Sequence, residues 1–333
     1  MSIWFSFLQK AHRGLWPVLA TLVFAQTGAA PAAEAYPARA IRIVHGYPGS
    51  SSETNARHIA QRLSEMFGQQ VIVEGKPGAT GTIAADFVAK SAPDGYTLLS
   101  SPSSVLGSTP HLRKVPFNTL RDFAPVAPFA TFSFLLVAHP SVPVKTTRDL
   151  IALAKSRRLA MTYSTTGVGS AYHLATVMFA LQAGIELLHV PYGTSGSSAM
   201  VDLVAGRTDL GMNSPVFLLP MVRAGKLRAV GRTGARRLVS APEIPTIAES
   251  GLPGFEMSGW QGILAPAGTP REFVAQLNGA LQKILATAEI KRIWEEAGLD
   301  VILATPEQFT ATLRADYERY GRLIQKIGGG IEQ

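Results

Sequence analysis

IRIVHGYPGSSSETNARHIAQRLSEMFGQQVIVEG, residues 41–75, is the stretch on which the fold turns. Ile41 to Val44 is short, apolar and rich in β-branched residues, which suits a buried strand. Ala56, Ile59, Ala60, Leu63 and Phe67 recur at three- and four-residue spacing, so they form the buried stripe of a helix, and Gly68 stands where that helix ends. Val71 to Val73 is the next strand. Strand, helix and strand in so short a span make a βαβ unit, whose strands lie parallel.

The alternation continues outward. KPGATG (76–81) is a turn; Ile83, Phe87 and Val88 line a short helix; PDGYTLL (93–99) turns into another strand. An apolar run from Phe132 to Ala138 reads as one long strand crossing to a second lobe, and HPSVP punctuates the chain after it. A second set follows, with helices around Leu150 to Lys155, Ala171 to Leu181, Ser197 to Ala205 and Val216 to Arg223. Its strands fall near Ala160 to Tyr163, Leu187 to Val190, Asp209 to Met212 and Arg228 to Val230. GWQGILAP (259–266) is the return crossing. TPRE (269–272) and TPEQ (305–308) each read as a capping box opening a helix, with Pro at its first position. The expected fold is α/β with two lobes, residues 36–137 plus 259–333 and residues 138–258. No internal repeat is legible.

The N-terminus has another character. Lys10, His12 and Arg13 precede an apolar run from Leu15 to Phe24, and small residues follow from Gly28 to Ala35. That order is a secretory leader over residues 1–35, cleaved at about 30–35, and the run is too short for a bilayer span of roughly 18 residues. The mature chain is expected in the periplasm. It contains no cysteine, so neither a disulfide framework nor lipid attachment at a leader cysteine is possible. The formal charge of +8 favours anionic partners, but Lys and Arg are scattered, without the basic blocks or aromatic motifs of nucleic-acid binding.

Catalytic signatures do not occur: no G-x-S-x-G, H-E-x-x-H, Walker A or C-x-x-C. The seven histidines lack metal-ligand spacing, and neither metal nor cofactor is implied. Two glycine-serine loops run directly into amphipathic helices, Gly49-Ser50-Ser51-Ser52-Glu53-Thr54 and Ser164-Thr165-Thr166-Gly167-Val168-Gly169-Ser170. A helix start has N–H groups without intrahelical partners and a partial positive charge, so an acid group there meets backbone and hydroxyl donors together. Ser, Thr and Gly are also ordinary cap and turn residues, and it is one such loop in each lobe that favours binding. A helix terminus contributes roughly 0.3–2 kcal/mol to an anion and each hydrogen bond to a charge about 1.5–3 kcal/mol. Four to six such contacts, less ordering costs, reach the roughly −8 kcal/mol of a micromolar ligand without a buried arginine.

From Tyr36 onward the chain closely resembles the substrate-binding proteins of tripartite tricarboxylate transporters, the Bug receptor family. The resemblance is carried by YPARAIRIV (36–44), KPGATGTIAADFVAKSAPDGYTLL (76–99), HVPYGTSGSSAMVDLVAGRTDL (189–210), AGKLRAV (224–230) and PEIPTIAESGLPGFEMSGWQGILAPAGTP (242–270). It implies a type II periplasmic-binding fold, two α/β lobes joined by crossing hinge strands and closing on a carboxylate. The family's gripping positions map onto Tyr47, Ser50, Ser51, Ser52, Glu53 and Thr54, and onto Ser164, Thr165, Thr166, Gly167, Gly169, Ser170 and His173. Ser103, Ser104, Tyr192 and Asn213 are candidates for reading the far end of the ligand. Glu53 and Asn213 stand where the family commonly has Asp, and the first loop runs one residue shorter before Gly49. A missing negative charge at Asn213 predicts a dicarboxylate or aromatic acid over an amino acid. The resemblance implies a monomeric carrier serving transporter membrane subunits, and no catalysis. Two alternatives stay open: a periplasmic hydrolase using Ser170 as nucleophile with His173 as base, and a ligand-dependent sensory binding protein.

Overall fold

The computed structural model describes residues 36–165, 167–192 and 196–326, without the side chains of Ser51, Gly196 and Ser197. The expected leader therefore lies outside the described residues, as does Thr166. In chain order the first half runs β1 (Ile41–His45), α1 (Ser51–Phe67), β2 (Val71–Gly75), α2 (Thr82–Ala89), β3 (Thr97–Pro102), α3 (Ser103–Leu106), α4 (Thr109–Leu112), β4 (Phe123–Ser133) and β5 (Leu135–Ala138). It continues with α5 (Thr147–Ser156), β6 (Met161–Thr165), α6 (Ala171–Ala183), β7 (Leu187–Pro191), α7 (Gly196–Val204), β8 (Leu210–Asn213), α8 (Pro215–Arg223), β9 (Arg228–Arg232) and α9 (Ile247–Ser250). The last part is β10 (Ser258–Pro266), α10 (Arg271–Leu285), α11 (Ala288–Glu296), β11 (Leu299–Asp300) and α12 (Pro306–Lys326).

Two sheets form, as the alternation predicts. One has the order β11-β4-β10-β3-β1-β2, the other β7-β6-β8-β5-β9. Within each, three successive parallel strands lie in the order second, first, third, followed by an antiparallel strand and then a fourth. The two halves repeat a topology without repeating a sequence. Helices cover both faces of each sheet, so the strands are apolar on both sides: Ile41, Ile43 and Leu98 pack under α1 and α10, and Val44 and Leu99 under α2 and α12. In the second sheet Leu136 and Met212 face α6, and Leu135 and Val137 face α7 and α8.

The first helix stops as read: Gly68 adopts φ 66° and its N–H bonds Ser64 O. Two expectations are corrected. The run from Phe132 to Ala138 is not one strand. Its first residues end β4, Phe134 stands between, and Leu135–Ala138 ladders with β8 and β9 in the other sheet. By sheet membership the crossing thus falls at Phe134, earlier than a division after residue 137. TPEQ closes a capping box, with Thr305 N donating to Gln308 Oε1 (2.9 Å) and Gln308 N to Thr305 Oγ1 (3.3 Å). TPRE does not: the buried Thr269 hydroxyl donates to Pro266 O at 2.8 Å, and α10 starts without a side-chain cap.

Candidate functional site

Strand directions bring the two loops to one place. β4 and β3 both run antiparallel to β10, so β4 leaves its sheet at the edge where β1, β2 and β3 end, with Ser133 paired to Ser258. Two residues later Leu135 pairs with Asn213, the last residue of β8, and with Arg232, the last of β9. The chain therefore passes from the carboxyl-end edge of one parallel set to the carboxyl-end edge of the other. Ligands of α/β sheets sit outside those edges. Side chains bridge the same place: a Cβ added at Gly259 would run into the Phe132 ring and the Ser103 hydroxyl, so there is no room for a methyl, and Phe132 meets Phe134, whose ring lies 5.1 Å from that of Tyr172 in α6. Pro215 and Val216, just after Asn213, pack against Gly298 beside β11.

The first loop is pinned from beneath. Ser50 caps α1, accepting from Glu53 N (3.3 Å), and its hydroxyl donates to Tyr47 O at 2.6 Å. Glu53 returns the contact by accepting from Gly49 N at 2.6 Å, while Arg57 Nε donates to its other oxygen at 2.9 Å. The Gly49 amide, then Arg57, hold the Glu53 carboxyl below the usual range. Glu53 is thus a clamp on the loop rather than a free acceptor. Tyr47 N donates to His45 Nδ1 (3.3 Å), and the Tyr47 hydroxyl donates to Thr80 O (2.7 Å). Thr54 donates to Ser50 O at 3.4 Å, and Ser52 is buried.

In the second lobe Ser170 caps α6, accepting from His173 N at 3.2 Å. The His173 ring accepts from Gly169 N through Nδ1, also at 3.2 Å. Thr165 Oγ1 accepts from Gly167 N (3.1 Å) and lies 2.7 Å from His189 Nε2. Ser164 and Thr165 are buried; Thr208 donates to the Ser164 hydroxyl, which lies 3.4 Å from Ala199 O. The proposed nucleophile and base therefore have other employment: Ser170 is a helix cap, and the ring nitrogen of His173 holds an amide. Tyr192 donates its hydroxyl to Asp202 (2.6 Å) and its N–H to Thr165 O (3.0 Å), and Asn213 Oδ1 accepts from Ser214 N at 2.7 Å.

The fold gathers these residues around the crossing but sorts them. Ser103 is 1% exposed, with its hydroxyl accepting from Trp260 N, so it supports the wall rather than its surface. Tyr47, Ser50, Ser104, Gly167, Gly169, Ser170, Tyr192 and Asn213 retain partial exposure. Four residues of the region escaped sequence reading: His45, Asn55, His189 and Gln261. Asn55 Nδ2 donates to Gln261 Oε1 at 2.9 Å, joining the first turn of α1 to β10 between two buried amides. A polar residue inside the apolar GWQGILAP run was the available signal for Gln261. Among the described residues no group of three or more acidic, His or Cys side chains is placed to hold a metal ion. The arrangement offers neutral hydroxyl and amide donors at two helix starts, a chemistry for an acid group.

Comparison with known proteins agrees with this geometry. Residues 55–329 match the model of the tripartite tricarboxylate transporter family receptor. A structure from R. palustris described with adipate is 31% identical, with a TM-score of 0.73 and coverage of 89% of this chain and 99% of that one. MatC from Rhodopseudomonas palustris, described with bound malate, is 28% identical with a TM-score of 0.69, covering 86% of this chain and 99% of its own. The periplasmic binding protein BugD is 29% identical with a TM-score of 0.69, over 88% of this chain and 99% of its own. A single family model spanning nearly all of the described residues, and solved relatives that superpose over 86–89% of the chain, lead to one assignment: the chain belongs to the tripartite tricarboxylate transporter receptor family and has its two-lobed periplasmic-binding fold.

Proposed function

We propose that this protein is a periplasmic solute receptor that captures a small dicarboxylate between its lobes and presents it to the membrane subunits of a tripartite tricarboxylate-type transporter, without catalysing a reaction. The observation that carries this reading is the convergence of two carboxyl-end strand edges on one crossing, each bearing a hydroxyl-rich loop that opens a helix. Helix starts and neutral donors suit a carboxylate, and the relatives described with adipate and malate carry two of them. The leader composition of residues 1–35 supports export, and among the described residues no helix is long and apolar enough to cross a membrane. Asn213 contributes no charge opposite a ligand amine, which favours plain diacids over amino acids.

The test is calorimetric titration of the mature chain with adipate, malate, aspartate and glutamate, preceded by native mass spectrometry for a co-purified acid. Micromolar or tighter binding of a diacid is the expected result. Tight binding of an amino acid with no response to any plain diacid would overturn the specificity, and no binding of any carboxylate in a wider screen would overturn the function.

A further inference from the structure

Beneath the second loop lies a column of three rings. Tyr163 of β6 stacks on His189 of β7, centroids 4.9 Å apart, and His189 lies 4.3 Å from His173 of α6. Tyr163 and His189 are register partners on adjacent parallel strands, so the stack is built by the sheet itself. Its two imidazoles touch the loop at different points. Gly169 N–H donates to His173 Nδ1, which requires a lone pair there and places the ring proton on Nε2. Thr165 has one hydroxyl proton and two candidate acceptors, His189 Nε2 at 2.7 Å and Gly167 O at 3.3 Å. With the His189 ring proton on Nδ1, Nε2 takes the hydroxyl proton, and with it on Nε2 the ring donates and the hydroxyl turns to Gly167 O; in either tautomer an oxygen lone pair faces Gly167 N–H at 3.1 Å. Burial lowers both imidazoles below the ordinary histidine range, so the neutral forms prevail at neutral pH.

We propose that His189 is a positioning residue for ligand capture: its Nε2 orients the Thr165 hydroxyl, which fixes the Gly167 amide, while His173 fixes the Gly169 amide, so that the loop is held in its ligand-ready shape from below. The consequence for affinity rests on the functional reading above; the effect on the loop does not. A role in packing alone would be satisfied by any ring, whereas the positioning role needs a hydrogen-bonding atom where Nε2 lies.

His189→Phe keeps the stack and removes the hydrogen-bonding nitrogen, and His189→Gln restores a hydrogen-bonding amide near the place of Nε2. Hydrogen exchange followed by mass spectrometry on the unliganded chain is expected to run about tenfold faster over residues 163–172 in His189→Phe and to return to within about twofold of the wild type in His189→Gln. Peptides of β1 and α1 are the internal reference. Unchanged exchange in the Phe variant, or acceleration shared equally by the reference peptides, overturns the proposal. In calorimetry with adipate and malate, whichever acid the wild type binds is expected to bind about tenfold more weakly to the Phe variant, with recovery in the Gln variant. Equal affinity in all three chains also overturns it. If the wild type binds neither acid, the functional reading suffers, while the exchange result still decides the role of His189.

Discussion

A histidine used as a hydrogen-bond acceptor recurs under both loops: His45 Nδ1 takes the Tyr47 amide and His173 Nδ1 the Gly169 amide. An imidazole accepts only while unprotonated, so both contacts tie loop geometry to pH. Burial, with His189 beside it, pushes His173 down to about 4. The unfolded imidazole titrates near 6.5, so the unfolded chain takes up a proton that the folded one resists. The associated stability is fully present above about pH 6.5 and is lost as the pH falls toward 4. Between pH 7 and pH 5 this single group accounts for about 2 kcal/mol. The melting temperature of the wild type is accordingly expected to fall more steeply over that interval than that of His173→Asn. Parallel melting curves for the two chains would show that His173 is not buried in its neutral form.

At the scale of elements, the first loop depends on how closely it approaches the turn after β2. A Cβ added at Gly46 would lie 2.4 Å from Gly81 Cα, which is backbone and has nowhere to move. The turn is itself strained, with Ala79 at φ 44° and Thr80 at φ 55°, conformations that L-residues adopt at a cost of roughly 1–2 kcal/mol each. Tyr47 holds it by donating to Thr80 O. Gly46→Ala is expected to destabilise the chain by about 1–3 kcal/mol in chemical denaturation. It should also weaken diacid binding, since the loop and the turn must separate; a variant with wild-type stability would mean that the approach is looser than described.

The longer helices and most strands of both lobes were legible because apolar period and terminal glycines are local signals, whereas α3, α4, α9 and α11, of four to nine residues, went unread. The first part of β4 was not. Pro125 and Pro128 argue against a strand, yet they fall beside the two register shifts in the β4–β10 ladder, where a missing N–H is tolerated. Thr269 misled for the opposite reason. Its box sequence is intact, but burial beside Pro266 offered the hydroxyl a different partner.

The whole molecule is held at the crossing by residues far apart in sequence. Thr233 N donates to Phe134 O (2.9 Å), its hydroxyl accepts from Phe134 N (2.9 Å) and donates to Met257 O (2.6 Å), and Met257 N donates to Thr233 O (2.8 Å). Next to it the buried Arg232 at the end of β9 pairs with Asp300 of β11, donates to the Ser133 hydroxyl at the end of β4, and donates to Arg236 O at 2.7 Å. One guanidinium thus joins both sheets at the edge of a cavity of about 190 Å³. Removing one partner of a buried pair costs about 3–5 kcal/mol, and because Asp300 keeps some exposure the lower end applies. Arg232→Met is expected to cost roughly 2–3 kcal/mol by denaturant unfolding, with much of it recovered in the Arg232→Met, Asp300→Leu double variant. Additive losses in the double variant would argue against a coupled pair.

The two sets of alternating strands and helices, the family resemblance and the two hydroxyl-rich loops could be read off the chain, because each depends on residues close together, and composition alone rules out a cysteine framework. It took the folded chain to reveal that both loops meet at one crossing, that Glu53 and Ser103 work inward, and that His45, His189, Asn55 and Gln261 belong to the same region. Period and capping are set within a few residues. The partner of a buried donor is chosen by strand register and by which sheet edge faces the crossing, and no local pattern encodes either.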